Sequence, residues 1–181
     1  MINPYLDEFE KIKNNWNQFT LRQSLVKKYS WAIPNQEAIN YLVSLSPIVE
    51  MGAGTGYWAY LIKQSGGDII AFDKQPYNNP QAENQWTEVL QGECTRYKST
   101  VVRYPDRTLF LCWAPYNKPF AYRCLKSYKG TKLVVVGEGQ RGCTANDKFF
   151  RLLHKEWKVD KEIVIPQYER FHDYLVGYTR K

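Results

Sequence analysis

A doubly wound α/β fold with a mostly parallel, seven-stranded sheet is the class this sequence predicts. Three observations predict it. From residue 47 onward, short apolar runs alternate with helix-like stretches. The run Thr108-Leu109-Phe110-Leu111-Cys112-Trp113 is apolar throughout, as suits a parallel strand covered on both faces. A glycine-rich turn, Gly52-Ala53-Gly54-Thr55-Gly56, stands where the first strand hands over to a helix.

The elements follow in order. Residues 5–28 predict one helix whose stripe is Leu6, Phe9, Ile12, Lys13, Trp16 and Phe19. Asn14, Asn15 and Asn17 weaken its middle. Pro34 and Asn35 open a second helix running to Ser44, with Ala38, Ile39 and Leu42 on its apolar side. Strands at 47–51 and 68–72 flank a helix at 57–64, which Ser65-Gly66-Gly67 ends. Asp73 closes the second strand, and a polar, Asn-rich connection with room for a short helix covers 77–85. Further strands are expected at 86–90, 108–113 and 132–136, with helices at 120–128 and 147–157, the latter capped by Asn146. Strands at 163–165 and 174–178 end the chain as an antiparallel edge pair. Residues 1–34 thus form an N-terminal helical extension ahead of a domain at 35–181. The aromatic segment Tyr29–Pro34 has no place in the alternation, and it is expected to fold over the ligand cleft as a lid.

The totals bound the rest. The 181 residues, 44% of them hydrophobic, suffice for one domain with a packed core. No signal-peptide pattern opens the chain, and no apolar run nears the roughly 20 residues of a membrane span. A cytoplasmic protein with no membrane contact is expected. Cys94, Cys112, Cys124 and Cys143 form no CxxC pair, and His154 and His172 are the only histidines, so no metal site is expected. The oligomeric state is left open.

The glycine turn carries the chemistry. Glycines let the backbone turn sharply and let a ligand lie against bare main chain. Asp73 follows Gly56 by 17 residues and ends the next strand, where a carboxylate can accept from both hydroxyls of a ribose. The pattern Glu50-x-Gly52-x-Gly54-x-Gly56 resembles motif I of the class I S-adenosylmethionine-dependent methyltransferases, and the likeness in element order covers roughly residues 35–181. Tyr57 stands where nicotinamide-binding enzymes of similar fold continue GxGxxG. Tyr29-Ser30-Trp31-Ala32-Ile33-Pro34 and Gly56-Tyr57-Trp58-Ala59 resemble a group of methyltransferase-like proteins whose likeness names no substrate. The family resemblance implies S-adenosylmethionine as cofactor. It implies that Gly52, Gly54 and Gly56 approach its methionine and ribose parts and that Asp73 holds the ribose hydroxyls. Glu93, after Gly92, would meet the adenine amine, and Glu50 would bond to backbone or anchor the amino end indirectly.

The acceptor side is read from strand ends. Trp113-Ala114-Pro115-Tyr116 resembles the Asp/Asn-Pro-Pro-Tyr motif of methyltransferases acting on planar amines. Trp113 replaces the acid or amide, and an indole donates without accepting. Trp113 and Tyr116 are therefore expected to sandwich a flat acceptor. Glu138, in the glycine-flanked loop 137–142, is the leading candidate base, with His172 and Asp173 beside it. Residues 96–132 hold nine Lys or Arg and one acid, Asp106, a net of +8 against +7 for the whole chain. Such an excess suits an anionic partner: a small or nucleotide-like acceptor, with nucleic acid as a further candidate through this basic stretch. The expected function is methyl transfer from S-adenosylmethionine to a planar or anionic acceptor. A catalytically degenerate cofactor-binding or scaffold protein on the same fold is the alternative.

Overall fold

The computed structural model describes residues 2–76 and 85–181. The strands are β1 (Ile48–Met51), β2 (Ile69–Asp73), β3 (Leu90–Gln91), β4 (Thr108–Cys112), β5 (Lys132–Gly137), β6 (Trp157–Val164) and β7 (Tyr174–Arg180). They form one sheet in the order β3-β2-β1-β4-β5-β7-β6. Strands β1 to β5 pair in parallel, and β7 inserts antiparallel between β5 and β6. The helices are α1 (Pro4–Ile12), α2 (Gln18–Lys28), α3 (Gln36–Ser44), α4 (Tyr57–Gln64), α5 (Phe120–Ser127) and α6 (Asp147–Glu156).

Local chemistry sets several of these boundaries. The Asn35 side chain accepts from the Ala38 N–H at 2.9 Å and starts α3. Asn146 does the same for Phe149 at 3.0 Å and starts α6. Before α4 the turn needs left-handed backbone at Gly52, Gly54 and Gly56 (φ +79°, +56° and +74°), where a side chain would be strained.

Every residue of β1 is buried, so the sheet needs cover on both faces. Ile48, Phe110 and Val134 face one core with Ile39 and Leu61; Val49, Met51 and Leu109 face the other with Leu125 and Phe149. Tyr5, Phe9, Leu25, Tyr29 and Ile33 belong to the first core, continuous with α3 and α4.

Three expectations from the sequence need correction. The single helix at 5–28 is two. Asn15 accepts from the Asn17 N–H at 2.9 Å, a side-chain turn that competes with helical backbone. The helical phase resets there. Trp16 and Phe19, expected on the stripe, are 95% and 66% exposed, while α2 buries Gln18, Arg22, Leu25 and Val26. The third strand is not 86–90 but Leu90–Gln91, because the Trp86 N–H bonds the Thr55 carbonyl and its indole the Lys28 carbonyl. The sixth strand begins at Trp157, where the sequence suggested the end of a helix. As an edge strand it shows solvent five consecutive residues, Lys158–Glu162, so little apolar alternation marked it. The connection at 77–85 lies outside the described residues except for Gln85.

Asn3 fastens the N-terminal helices. Its carboxamide oxygen accepts from the Leu6 N–H (3.2 Å) and the Tyr57 hydroxyl (2.7 Å), and its amide donates to the Pro34 carbonyl at 2.7 Å. Asn3→Ala removes a cap and strands buried partners, so a loss of about 2–3 kcal/mol is expected. A urea denaturation midpoint lowered at unchanged slope is the expected reading. A change under about 0.5 kcal/mol would show that the helices are held elsewhere.

Candidate functional site

A cleft of about 670 Å³ opens at the carboxyl ends of the strands, over the point where β1 and β4 lie side by side and the chain order reverses. Open α/β sheets place ligands at such a switch point. Gly52 and Gly54 form its floor, Asp73 and Glu93 one end, Trp113 and Tyr116 the other. A recess of about 50 Å³ continues from it between Glu50 and the segment Tyr29–Trp31.

The turn and Asp73 form one unit. The Gly54 N–H donates to the Asp73 carboxylate at 3.0 Å, and the Gln75 N–H donates to its other oxygen at 3.0 Å. No atom lies within 4 Å of where a Gly54 side chain would begin, so the main chain there faces open space. Gly56 differs. A β-carbon on it would come within 2.8 Å of Val89, so its bareness serves packing beneath the turn. A β-carbon on Gly52 would meet the Phe120 ring at 3.2 Å.

Glu50 is fully buried at the base of the recess, and its Oε2 has no hydrogen-bond partner. Burial, then the nearby Asp73 charge, pushes its pKa up to about 8, against a smaller opposing pull from Lys63. Glu93 is half-buried, lines the cleft and reaches Lys98 at 3.7 Å.

The segment after α2 walls the cleft. The Thr55 hydroxyl donates to the Tyr29 carbonyl, and the Trp58 indole to the Ala32 carbonyl at 3.3 Å. Tyr29 stacks between Tyr5 and Trp86. This leaves Trp31 facing the cleft, stacked on Trp113 with ring centroids 5.1 Å apart.

Trp113 is held in a conformation that few non-glycine residues adopt, φ +48°. Its N–H still bonds the Val136 carbonyl at 2.8 Å; the chain then turns and sends the ring across the strand ends. The indole donates to Asp173 at 2.8 Å. Asp173 is itself buried, and burial pushes its pKa up to about 7 although the indole bond opposes this. Tyr116 stands at the rim, 65% exposed.

Glu138, the candidate base, does not line the cleft. Its two oxygens accept from the Cys143 N–H (2.5 Å) and the His172 N–H (3.0 Å), tying two loops together. Burial alone would raise its pKa; these backbone donors outweigh it and hold the carboxylate below its ordinary range. A carboxylate so occupied is poorly placed to take a proton from an acceptor.

Arg22 was missed in the sequence. Its guanidinium lies 4.0 Å from the Phe171 ring centroid and 5.2–5.3 Å from those of Trp31, Trp113 and Tyr168. Its Nε and one terminal nitrogen are buried without a partner. The spacing Gln18, Arg22, Leu25, Tyr29 was the available signal, since it is helical once the break before residue 18 is known.

Among the described residues no helix is long and apolar enough to cross a membrane, and no group of three metal-ligating side chains could hold an ion. No protein-family model matches the sequence, and no curated protein matches it. The sheet order and the antiparallel β7 define the fold of the class I S-adenosylmethionine-dependent methyltransferases, and solved structures share it. Magnesium protoporphyrin IX methyltransferase (ChlM) from Synechocystis PCC 6803, crystallised with S-adenosylhomocysteine, is 10% identical with a TM-score of 0.56. The match covers 97% of this chain and 94% of that one. The N-methyltransferase NodS from Bradyrhizobium japonicum WM9, also crystallised with S-adenosylhomocysteine, is 11% identical with a TM-score of 0.51 and covers 99% of both chains. Precorrin-6y C5,15-methyltransferase from Geobacter metallireducens GS-15 is 14% identical with a TM-score of 0.50, covering 85% of this chain and 93% of that one. At these identities the likeness establishes the fold.

The raised Glu50 pKa sets a pH dependence. The folded protein keeps the proton up to about pH 8, whereas the unfolded chain releases it near 4.5. The stability from the neutral buried carboxyl is therefore present at low pH and lost as pH rises through that window, by at most about 1.4 kcal/mol per pH unit. Glu50→Gln is expected to flatten this slope in urea denaturations between pH 5 and 8. Parallel slopes for the two proteins would refute a raised pKa at Glu50.

Proposed function

We propose that this protein binds S-adenosylmethionine in the cleft and transfers its methyl group to a planar or anionic acceptor. The observation that carries the reading is the glycine turn flanked by two carboxyl groups, Glu50 beneath it and Asp73 beside it. S-adenosylmethionine would bring a ribose to Asp73 and an ammonium group to Glu50, and the Glu50 oxygen at the base of the recess has no counterpart in the binding of a dinucleotide pyrophosphate by main chain alone. Gly54 supplies the bare main chain, and Asp73, fixed by two backbone donors, is oriented toward ribose hydroxyls. Glu93 stands at the adenine end. The unpartnered Glu50 oxygen at the recess suits the amino end of the cofactor.

The bound cofactor would supply an electrophilic methyl group. The chain's part is to align the acceptor and exclude water, for which methyl transfer needs little acid–base help. Trp31 and the segment 29–34 cover the recess as the lid, and Trp113 with Tyr116 borders the acceptor side. Asp173 orients Trp113.

A second reading, cofactor binding without transfer, is favoured by one observation. The Trp113 ring is already stacked on Trp31 and its donor already spent on Asp173. Transfer of labelled methyl from S-adenosylmethionine into small-molecule and RNA fractions separates the two readings; binding with no incorporation favours the second.

Calorimetry with S-adenosylmethionine, S-adenosylhomocysteine and NAD side by side tests the main reading. The first two are expected to bind and NAD is not. Gly54→Val is expected to abolish binding, and Asp73→Ala to weaken it by about 1–3 kcal/mol by leaving partners unpaired. Full affinity in Gly54→Val, or binding of NAD alone, would overturn the assignment.

A further inference from the structure

The basic stretch does not form one surface. Lys129, Lys132 and Arg107 line a depression at the amino ends of the strands, away from the cleft, and Arg107 is paired with Asp68 at 2.9 Å. Four of the other cations, Lys98, Arg103, Lys118 and Arg123, line the cleft or the cavity beside it. Lys118 and Arg123 line the cleft beside Tyr116. A second cavity of about 650 Å³ adjoins it, sharing Lys74 and Glu93 as common wall, and Lys98 and Arg103 complete its cationic lining.

Between the two cavities stands a tight turn. An antiparallel bridge pairs Cys94 with Ser99, and the Thr95 N–H bonds the Lys98 carbonyl at 2.7 Å. Thr95 lines the cleft, Lys98 lines the second cavity, and Tyr97 rides the crest between them, 90% exposed. The Arg96 guanidinium lies 5.6 Å from its ring centroid. On the far rim of the cleft Tyr116 offers another exposed ring. Folding gives no reason to leave two tyrosines in water beside six cations, Lys74, Arg96, Lys98, Arg103, Lys118 and Arg123, which outnumber the two acids lining these cavities, Asp73 and the Lys98-paired Glu93.

We infer that this ridge and its flanking cavities form a binding track for single-stranded nucleic acid, which presents the acceptor base to the cleft. The inference rests on the methyltransferase reading for the fate of the base, but the track is defined by its own residues. Cations spaced along a groove follow a phosphate backbone, and exposed aromatic rings stack bases with little regard to sequence. Lys74, Lys98 and Arg103 would meet phosphates on one side of the ridge, Lys118 and Arg123 on the other. Tyr97 and Tyr116 would each stack a base. A small anionic acceptor would need only the cations inside the cleft and would leave Tyr97 and the second cavity without a role. A rigid duplex keeps its bases stacked on each other and would leave both rings unused.

Fluorescence anisotropy with a labelled single-stranded RNA of mixed sequence tests this at 50 and 200 mM salt. Binding is expected in the range of about 1–100 µM, weakening with a log–log salt slope of about 0.7 per phosphate contacted. Tyr97→Ala is expected to weaken it roughly tenfold. The pair Lys98→Glu and Arg103→Glu is expected to weaken it further and to flatten the slope. Reversing Lys129 and Lys132, at the other end of the sheet, is expected to change it little. Calorimetry with S-adenosylmethionine on the same samples separates the two readings. Normal cofactor affinity with no RNA binding overturns the track and spares the function; RNA binding without cofactor affinity does the opposite. The track is also overturned if reversal at Lys129 and Lys132 weakens binding as much. It is overturned too if Tyr97→Ala is silent while polyglutamate or a duplex binds as well as the single strand.

Discussion

A parallel strand such as β1 has no face to spare for water, and the arrangement of this chain answers that constraint. Helices α5 and α6 cover one face of the sheet. The other is covered by α3 and α4 together with the helices ahead of them, which share its core. Covering the sheet also carries the chain over the carboxyl end of β1. The segment after α2 must pass there to reach α3, and the Thr55 hydroxyl and the Trp58 indole pin it by its carbonyls. The wall of the cleft is thus a by-product of burying the sheet. The same burial leaves one Glu50 oxygen without a hydrogen-bond partner and favours the protonated carboxyl, a state that a cationic group bound beside it would reverse.

Much of this was legible in the sequence for a physical reason. Where both faces of an element are buried, its composition is forced. The runs at 48–51, 108–112 and 132–137 could be little else than inner strands, and the spacing of Gly52, Gly54 and Gly56 ahead of Tyr57 fixed the start of α4. Legibility failed where solvent or a side-chain turn relaxed that demand. β6 carries its charges on an open edge, so its pattern is polar. Trp86 is apolar and aromatic, as strands are, but its backbone bonds the glycine turn instead of β2. Trp16 and Phe19 have helical spacing from Phe9 only if the helix continues, and three asparagines stop it.

The site divides in the same way. Asp73 could be placed from the end of its strand because a strand end fixes where a side chain stands. Glu138 could be placed at a strand end too, but its partners could not be read. Two amides from loops 5 and 34 residues away occupy it, and contacts that distant leave no local trace. The charge of residues 96–132 shows the limit of reading composition along a chain. The chain crosses the domain in β4 and returns in α5, so the stretch leaves cations at both ends of the sheet: Lys98, Arg103, Lys118 and Arg123 at the carboxyl end, Arg107, Lys129 and Lys132 at the amino end. Only the group at the carboxyl end can act on a ligand in the cleft, because the potential of surface charges falls within about a Debye length.

The Trp113 end of the cleft is governed by a buried charge pattern that the sequence does not display. Arg22 sits among four aromatic rings; burial disfavours its charge, and Asp173 and Glu138 are among the groups that oppose this. Aromatic faces favour a desolvated cation but do not satisfy its N–H donors. The arrangement therefore holds Arg22 in place at a cost that its surroundings must offset. Its position ties α2, Trp31 in the cleft wall and the strand-end tryptophan Trp113 to the loop before β7. Asp173 completes the connection by bonding the Trp113 indole. Trp113 is thus set from both sides, by an unusual backbone angle and by a buried ion pattern. An acceptor entering from the rim at Tyr116, as the proposed function has it, would meet a wall whose shape is fixed before it arrives. That is the condition under which alignment, rather than acid–base chemistry, can carry a methyl transfer.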